Sequence, residues 1–193
     1  MSVERIGAGA DSPVIEGLHL VPLDGHRDER GLFLEFFKES WRLPVRPAQW
    51  SFVRSEARTL RGLYLHLRHD ELFVLVQGRA HVGLKDLRRD SPTFDRAVRL
   101  DVDAETPTLV VFPPGVLHGW YFPQPSLHLQ AVSEEYERYR HDDNLSCHWA
   151  DPEVGLAWPD PEPRLSLEAQ RFGSLRALRA RAAMPPAVPG GRL

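Results

Sequence analysis

The sequence is short of cysteine, of long apolar runs and of excess positive charge, and each shortage excludes something. One cysteine, Cys147, cannot form an internal disulfide, so a secreted, cross-linked scaffold is excluded. No apolar run approaches the ~20 residues needed to cross a bilayer. The opening "MSVERIGAGADS" lacks the apolar centre of a secretory signal. A net charge of −3 does not provide the dense positive surface that nucleic-acid binding needs. Together these shortages predict a cytoplasmic protein with neither membrane nor nucleic acid as partner.

What is present is enough for one well-packed domain. Over 193 residues, 42% hydrophobic and 26% charged content describe a globular chain. The composition predicts a single domain over 1–173. Residues 174–193, "SLRALRARAAMPPAVPGGRL", read as a short helix running into a loose Pro/Gly-rich tail. Between residues 15 and 135 short apolar runs dominate, among them "GLFLEFF", "RGLYLHL", "ELFVLVQ", "AHVGLKDL", "AVRLDV", "TLVVF" and "LHLQAV". Turn signals separate most of them, which predicts an all-β sandwich, jelly roll or barrel with short C-terminal helical segments. The stretch after Tyr136 is polar and reads as an ordered wrap rather than core.

Alternation along these strands singles out a set of polar side chains. In "LYLHL", Leu63, Leu65 and Leu67 share one face, and Tyr64 and His66 the other. In "LHGWYF", His118, Trp120 and Phe122 fall together; in "LHLQAV", His128 and Gln130 oppose Leu127 and Leu129. Three strands with a polar, histidine-bearing face predict a lined pocket in a barrel interior or mouth.

The spacing Tyr64-x-His66-x4-Glu71-x6-Gly78, then Pro113-Pro114-Gly115-x2-His118, is similar to the two motifs of the cupin superfamily, with Tyr64 in place of the first ligand histidine. His66, Glu71 and His118 could form a two-histidine, one-carboxylate face suited to Fe(II), Mn or Zn. The alternative is that these side chains hydrogen-bond one another and hold no metal.

Several segments, in order, resemble the dTDP-4-dehydrorhamnose 3,5-epimerase family, a cupin jelly roll: "DERGLFLEFF" (28–37), "QWSFVRSEARTLRGL" (49–63), "DLRRDSPTF" (86–94), "PPGVLHGW" (113–120) and "WADPEVGLAWP" (149–159). The resemblance implies a homodimer that exchanges strands, binds a thymidine-diphosphate sugar and takes no cofactor. It implies that Arg30, Phe33 and Glu35 belong to a nucleotide-binding set and that Arg61 contacts the diphosphate, a role that suits an arginine fork. Trp120 joins the expected substrate-binding residues.

The family takes a proton from carbon beside a ketone and returns one on the opposite face, which needs a base, an acid and enolate stabilisation. At the family's base position this chain has Tyr64, and at its orienting aspartate, Ala169. The acid position holds Gln130 and the lysine position Glu71. All four differ, so the resemblance implies the fold more firmly than the chemistry. The expected function is an enzyme acting on a carbonyl-bearing sugar nucleotide or natural-product intermediate by epimerisation, isomerisation or cyclisation. Tyr64, His66, His118, His128 and Gln130 would line its site, with His66 as relocated base and Tyr64 as acid. The alternatives are a metal-dependent enzyme using His66, Glu71 and His118, and a non-catalytic dimeric binding or scaffold protein.

Overall fold

Two five-stranded antiparallel sheets face each other in the computed structural model, which describes residues 14–139 and 143–182. The strands in chain order are β1 (His19–Pro22), β2 (Gly25–Asp28), β3 (Gly31–Leu34), β4 (Gln49–Ser55), β5 (Thr59–Leu65), β6 (Glu71–Gln77), β7 (Arg79–Asp86), β8 (Ala97–Asp103), β9 (Thr108–Phe112), β10 (Val116–Phe122), β11 (Ser126–Val132) and β12 (Leu145–Ser146). One sheet runs β1-β9-β6-β11-β4 and the other β12-β5-β10-β7-β8, while β2 and β3 form a separate hairpin. This is the expected jelly roll; among the described residues its α-helices are α1 (Tyr136–Tyr139) and α2 (Leu175–Arg181). No helix among the described residues is long and apolar enough to cross a membrane.

Strand alternation divides the apolar residues among three cores. In β6, Phe73 and Leu75 point between the sheets, where they meet Val82, Leu84, Val110, Phe112, Trp120 and Phe122. Leu72 and Val74 of the same strand point outward, against Leu23, Val45 and the partly buried Phe36, Phe37 and Trp41. A strand covered on both faces has no polar side to show, which explains the unbroken "LFVL" over Leu72–Leu75. "GLFLEFF" is strand only over Gly31–Leu34; Phe36 and Phe37 instead pack on the outside of the first sheet.

The third core corrects the expectation for the chain's end. The stretch after Tyr136 does wrap the barrel, but it also supplies core. Leu145, Cys147, Val154, Leu175 and Leu178 are buried against Leu63 and Leu65 of β5 and Leu117 of β10. Their irregular spacing among polar residues hides them from a periodicity reading. Helix α2 is capped by Ser174, whose hydroxyl accepts from Ala177 N at 3.2 Å. The tail 183–193 lies outside the described residues.

Where β7 leaves its sheet, a buried polar knot closes the "DLRRDSPTF" turn. The carboxylate of Asp86 is fully buried and accepts from Arg88 Nε at 2.8 Å and Nη2 at 2.7 Å. It also accepts from Ser91 Oγ at 2.6 Å and Thr93 Oγ1 at 2.7 Å.

Candidate functional site

A cavity of about 570 Å3 opens between the sheets, and β5 runs along its wall. Thr59, Arg61, Gly62, Tyr64 and His66 all reach it from this strand and its end. Leu63 and Leu65 point the other way into the third core, so the predicted alternation of "LYLHL" is the observed one. Arg61 and His66 are five residues apart, roughly 15 Å along an extended strand. Gly62 lets β5 pass close to β10: at φ +112°, an added Cβ would meet Gly119 Cα and the His118 carbonyl, both at 2.9 Å.

At the Arg61 end, the guanidinium is held by Ser55 Oγ (2.9 Å from Nε) and the Arg54 carbonyl (3.1 Å from Nη2). Arg164 joins it from the C-terminal wrap, which reaches β5 through a bridge to Thr59. At the other end His66, Glu71 and His118 converge. Glu71 Oε2 lies 3.3 Å from His66 Nε2 and 3.0 Å from His118 Nε2, and the carboxylate is 2% exposed.

The charges at this end are coupled. Burial alone would raise the Glu71 pKa, but His118 and His66 more than reverse this and hold it well below the usual carboxylate range. Burial likewise opposes a charge on His66, yet Glu71 outweighs it and the histidine's pKa is raised. His66 is therefore not a free base: its Nε2 is shared with Glu71. The Tyr64 phenol is pushed up by burial, with Glu168 adding to the effect, so it stays protonated and able to donate.

Each histidine is fixed from behind. His66 Nδ1 donates to the Asp143 carbonyl at 2.7 Å, and His118 Nδ1 to the Val116 carbonyl at 3.0 Å. Asp143 is itself pinned, its carboxylate accepting from Leu67 N at 2.6 Å, Arg68 N at 3.0 Å and His69 Nδ1 at 2.8 Å. The His69 ring lies between His66 (4.0 Å between centroids) and Tyr139 (4.2 Å). Sequence reasoning missed Asp143, His69, Tyr139 and Arg164. "HDDNLS" is more than 70 residues from the strand it supports, and no spacing rule connects them.

The other expected site residues divide. Tyr64, Glu71, Gln130 and Ala169, the four positions that the sequence resemblance sets against the family's catalytic residues, all line this one cavity, as does Trp120. His128 does not line it. Its ring is fully buried among Phe73, Phe122 and Trp120, and Nε2 reaches only Gln130 Oε1, at 3.4 Å. The inward face of β11 was read correctly, but at that level the barrel is filled by aromatic rings. Arg30, Phe33 and Glu35 are also away from the cavity of their own chain. Arg30 pairs with Asp28 and Glu35 with Lys38, and Phe33 is exposed on the β2–β3 hairpin.

His128 supplies a pH test. Burial, reinforced by the nearby Arg61 charge, lowers its pKa to about 4. The unfolded chain therefore takes up this proton first as pH falls. Stability is full above pH 6.5 and declines between 6.5 and 4, by roughly 3 kcal/mol from this group. Urea midpoints across that window should fall for the wild type and fall less for His128→Leu; equal slopes would contradict the assignment.

Residues 13–176 match the family described as dTDP-4-dehydrorhamnose 3,5-epimerase. The chain belongs to this family. A dTDP-4-dehydro-6-deoxyglucose 3-epimerase of Streptomyces bikiniensis is 31% identical to it over 178 residues, covering 86% of this chain and 82% of that protein. The dTDP-4-dehydrorhamnose 3,5-epimerase of Pseudomonas aeruginosa is 30% identical over 153 residues, covering 76% and 83%. Among solved structures, a 3'-monoepimerase from Streptomyces bikiniensis in complex with dTDP-quinovose aligns with a TM-score of 0.78 and 27% identity, over 89% of this chain and 90% of that one. The epimerase family thus accounts for the jelly roll, and its relatives are dTDP-sugar 3,5- and 3-epimerases.

Proposed function

We propose that this family member is an epimerase-type enzyme of deoxysugar or natural-product biosynthesis. Its ligand is a thymidine-diphosphate sugar or a similar carbonyl-bearing intermediate, held along β5. The observation that carries the reading is one cavity with Arg61 and Arg164 at one end and Tyr64, His66, Glu71 and His118 at the other. The arginine end suits a diphosphate and the other end a carbonyl. In this reading the His66–Glu71–His118 group takes up the proton that leaves the carbon beside the carbonyl, becoming the cation that faces the enolate, and Tyr64 returns a proton to that carbon. A lone carboxylate at position 71 would repel that enolate; one flanked by two histidines holds a compensating cation.

The protein works as a homodimer in this reading. Trp50 and Phe52 face outward on β4, at the edge of its sheet, and Leu32 and Phe33 are exposed on the hairpin. Pairing with a second copy would cover them.

Calorimetry with dTDP should show binding that Arg61→Ala weakens about 10- to 100-fold, the loss expected for a charge-assisted hydrogen bond. Incubating dTDP-4-dehydro-6-deoxyglucose with the enzyme in D2O should place deuterium beside the carbonyl, and light scattering on the same sample should give twice the chain mass. Absence of both dTDP binding and exchange would overturn the ligand assignment, and a monomer the dimer.

A further inference from the structure

We propose that the side-chain amide of Gln130 donates to the ligand's carbonyl oxygen as it becomes an enolate, and that His128 is the positioning residue that turns the amide that way. This role presupposes the carbonyl-bearing ligand proposed above. His128 is fully buried, and its Nδ1 has no hydrogen-bond partner among the described residues. Phe122 stacks on the ring at 5.2 Å between centroids, and Phe73 lies at 4.9 Å, so aromatic carbon surrounds it. Its Nε2 meets Gln130 Oε1 at 3.4 Å.

A neutral imidazole carries one N–H, and the surroundings decide which nitrogen holds it. Burial holds the His128 pKa down at about 4, so the ring is neutral near pH 7. On Nδ1 the hydrogen would be buried with nothing to accept it; on Nε2 it meets the amide oxygen of Gln130. The opposite orientation of the amide would need a bare Nε2, and so would return the hydrogen to Nδ1. His128 therefore donates, Gln130 accepts through Oε1, and the amide N–H groups are left for the cavity that Gln130 lines.

Gln130 reaches that cavity from β11, in the sheet facing the one that carries Tyr64 and His118, themselves paired across β5 and β10. Two residues on, about 7 Å along β11, Val132 pairs with Glu71. The amide thus stands across the cavity from Tyr64 and close along its own sheet to the His66–Glu71–His118 group. When the C–H bond beside the carbonyl breaks, the proton passes to that group and the electron pair moves onto the carbonyl oxygen. An amide N–H fixed by a buried ring is a preorganised donor for that oxygen and does not titrate. At the position that the resemblance sets against the family's acid, a fixed hydrogen-bond donor stands in place of a proton donor, and Tyr64 is left as the acid.

Turnover is read as deuterium incorporation from D2O into dTDP-4-dehydro-6-deoxyglucose. Gln130→Leu should lower kcat about 10²-fold, the loss of one oxyanion donor, with dTDP affinity within a few-fold of wild type. Gln130→Glu keeps the shape but has no N–H at neutral pH, and should lose at least as much; it decides where circular dichroism shows the leucine variant unfolded. His128→Gln can place an amide N–H where the Nε2–H stood and should retain more turnover than His128→Leu. The reverse order, which a packing role among the aromatic rings would give, would overturn the positioning. Nitrogen-15 NMR of the imidazoles, with no ligand present, should find the His128 hydrogen on Nε2; finding it on Nδ1 would overturn the proposal. Wild-type turnover in both Gln130 variants would overturn it and leave the sugar-nucleotide reading intact. A wild type that neither binds dTDP nor exchanges defeats that reading, and the role of Gln130 falls with it.

Discussion

His66→Ala is expected to lower turnover about 10²- to 10³-fold while dTDP still binds. The size is that of removing one preorganised group that stabilises developing charge. The histidine contributes at a single point, its Nε2 beside Glu71 Oε2. Removing it leaves the buried carboxylate facing His118 alone. The diphosphate end is untouched, because Arg61 is held by Ser55 and the Arg54 carbonyl rather than by anything near His66. The effect should therefore appear in kcat with dTDP affinity within a few-fold of wild type. His66→Gln keeps bulk without the imidazole and should not rescue. Full turnover in His66→Ala, with folding shown by circular dichroism, would remove the residue from the mechanism.

Asp86→Ala is expected to cost about 3–5 kcal/mol of stability, the range for breaking a buried ion pair by deleting one partner. The carboxylate is the shared acceptor for Arg88, Ser91 and Thr93, and Arg88 is itself buried. Without it the guanidinium stays buried, with the Glu16 carbonyl and Ser91 as its remaining partners. Burial raises the Asp86 pKa, but Arg88 and the two hydroxyls outweigh it and hold the carboxyl below its ordinary value. Asp86→Asn keeps the shape and one acceptor and should cost less than the alanine. Urea denaturation measures both; a loss under 1 kcal/mol for Asp86→Ala would show that the turn is held elsewhere.

Much of the barrel was legible because its strands follow two rules at once. "ELFVLVQ" and "TLVVF" are β6 and β9 to the residue, each a short apolar run between turns. β4 was missed for a physical reason. Its large residues, Trp50 and Phe52, face outward, while the smaller Ser51 and Val53 face the cavity, the reverse of the usual pattern. The His66–Glu71–His118 grouping was legible through its likeness to the cupin motifs, while alternation along the strands singled out the two histidines but not Glu71. The support behind it was not. Asp143 acts through its carbonyl on His66 and through its carboxylate on the Leu67 and Arg68 amides. Backbone contacts of that kind leave no residue-type signature.

The C-terminal wrap has a consequence for how the protein is made. Arg164, Leu165, Ser166 and Ala169 form part of the cavity wall, though every strand of the two sheets ends by Ser146. During synthesis the barrel strands leave the ribosome first, and the wall that completes the cavity follows some twenty residues later. A nascent or truncated chain stopping near residue 150 carries the histidines and the carboxylate but not the enclosure around them. The protein's reactive groups are encoded early and its chamber is closed late.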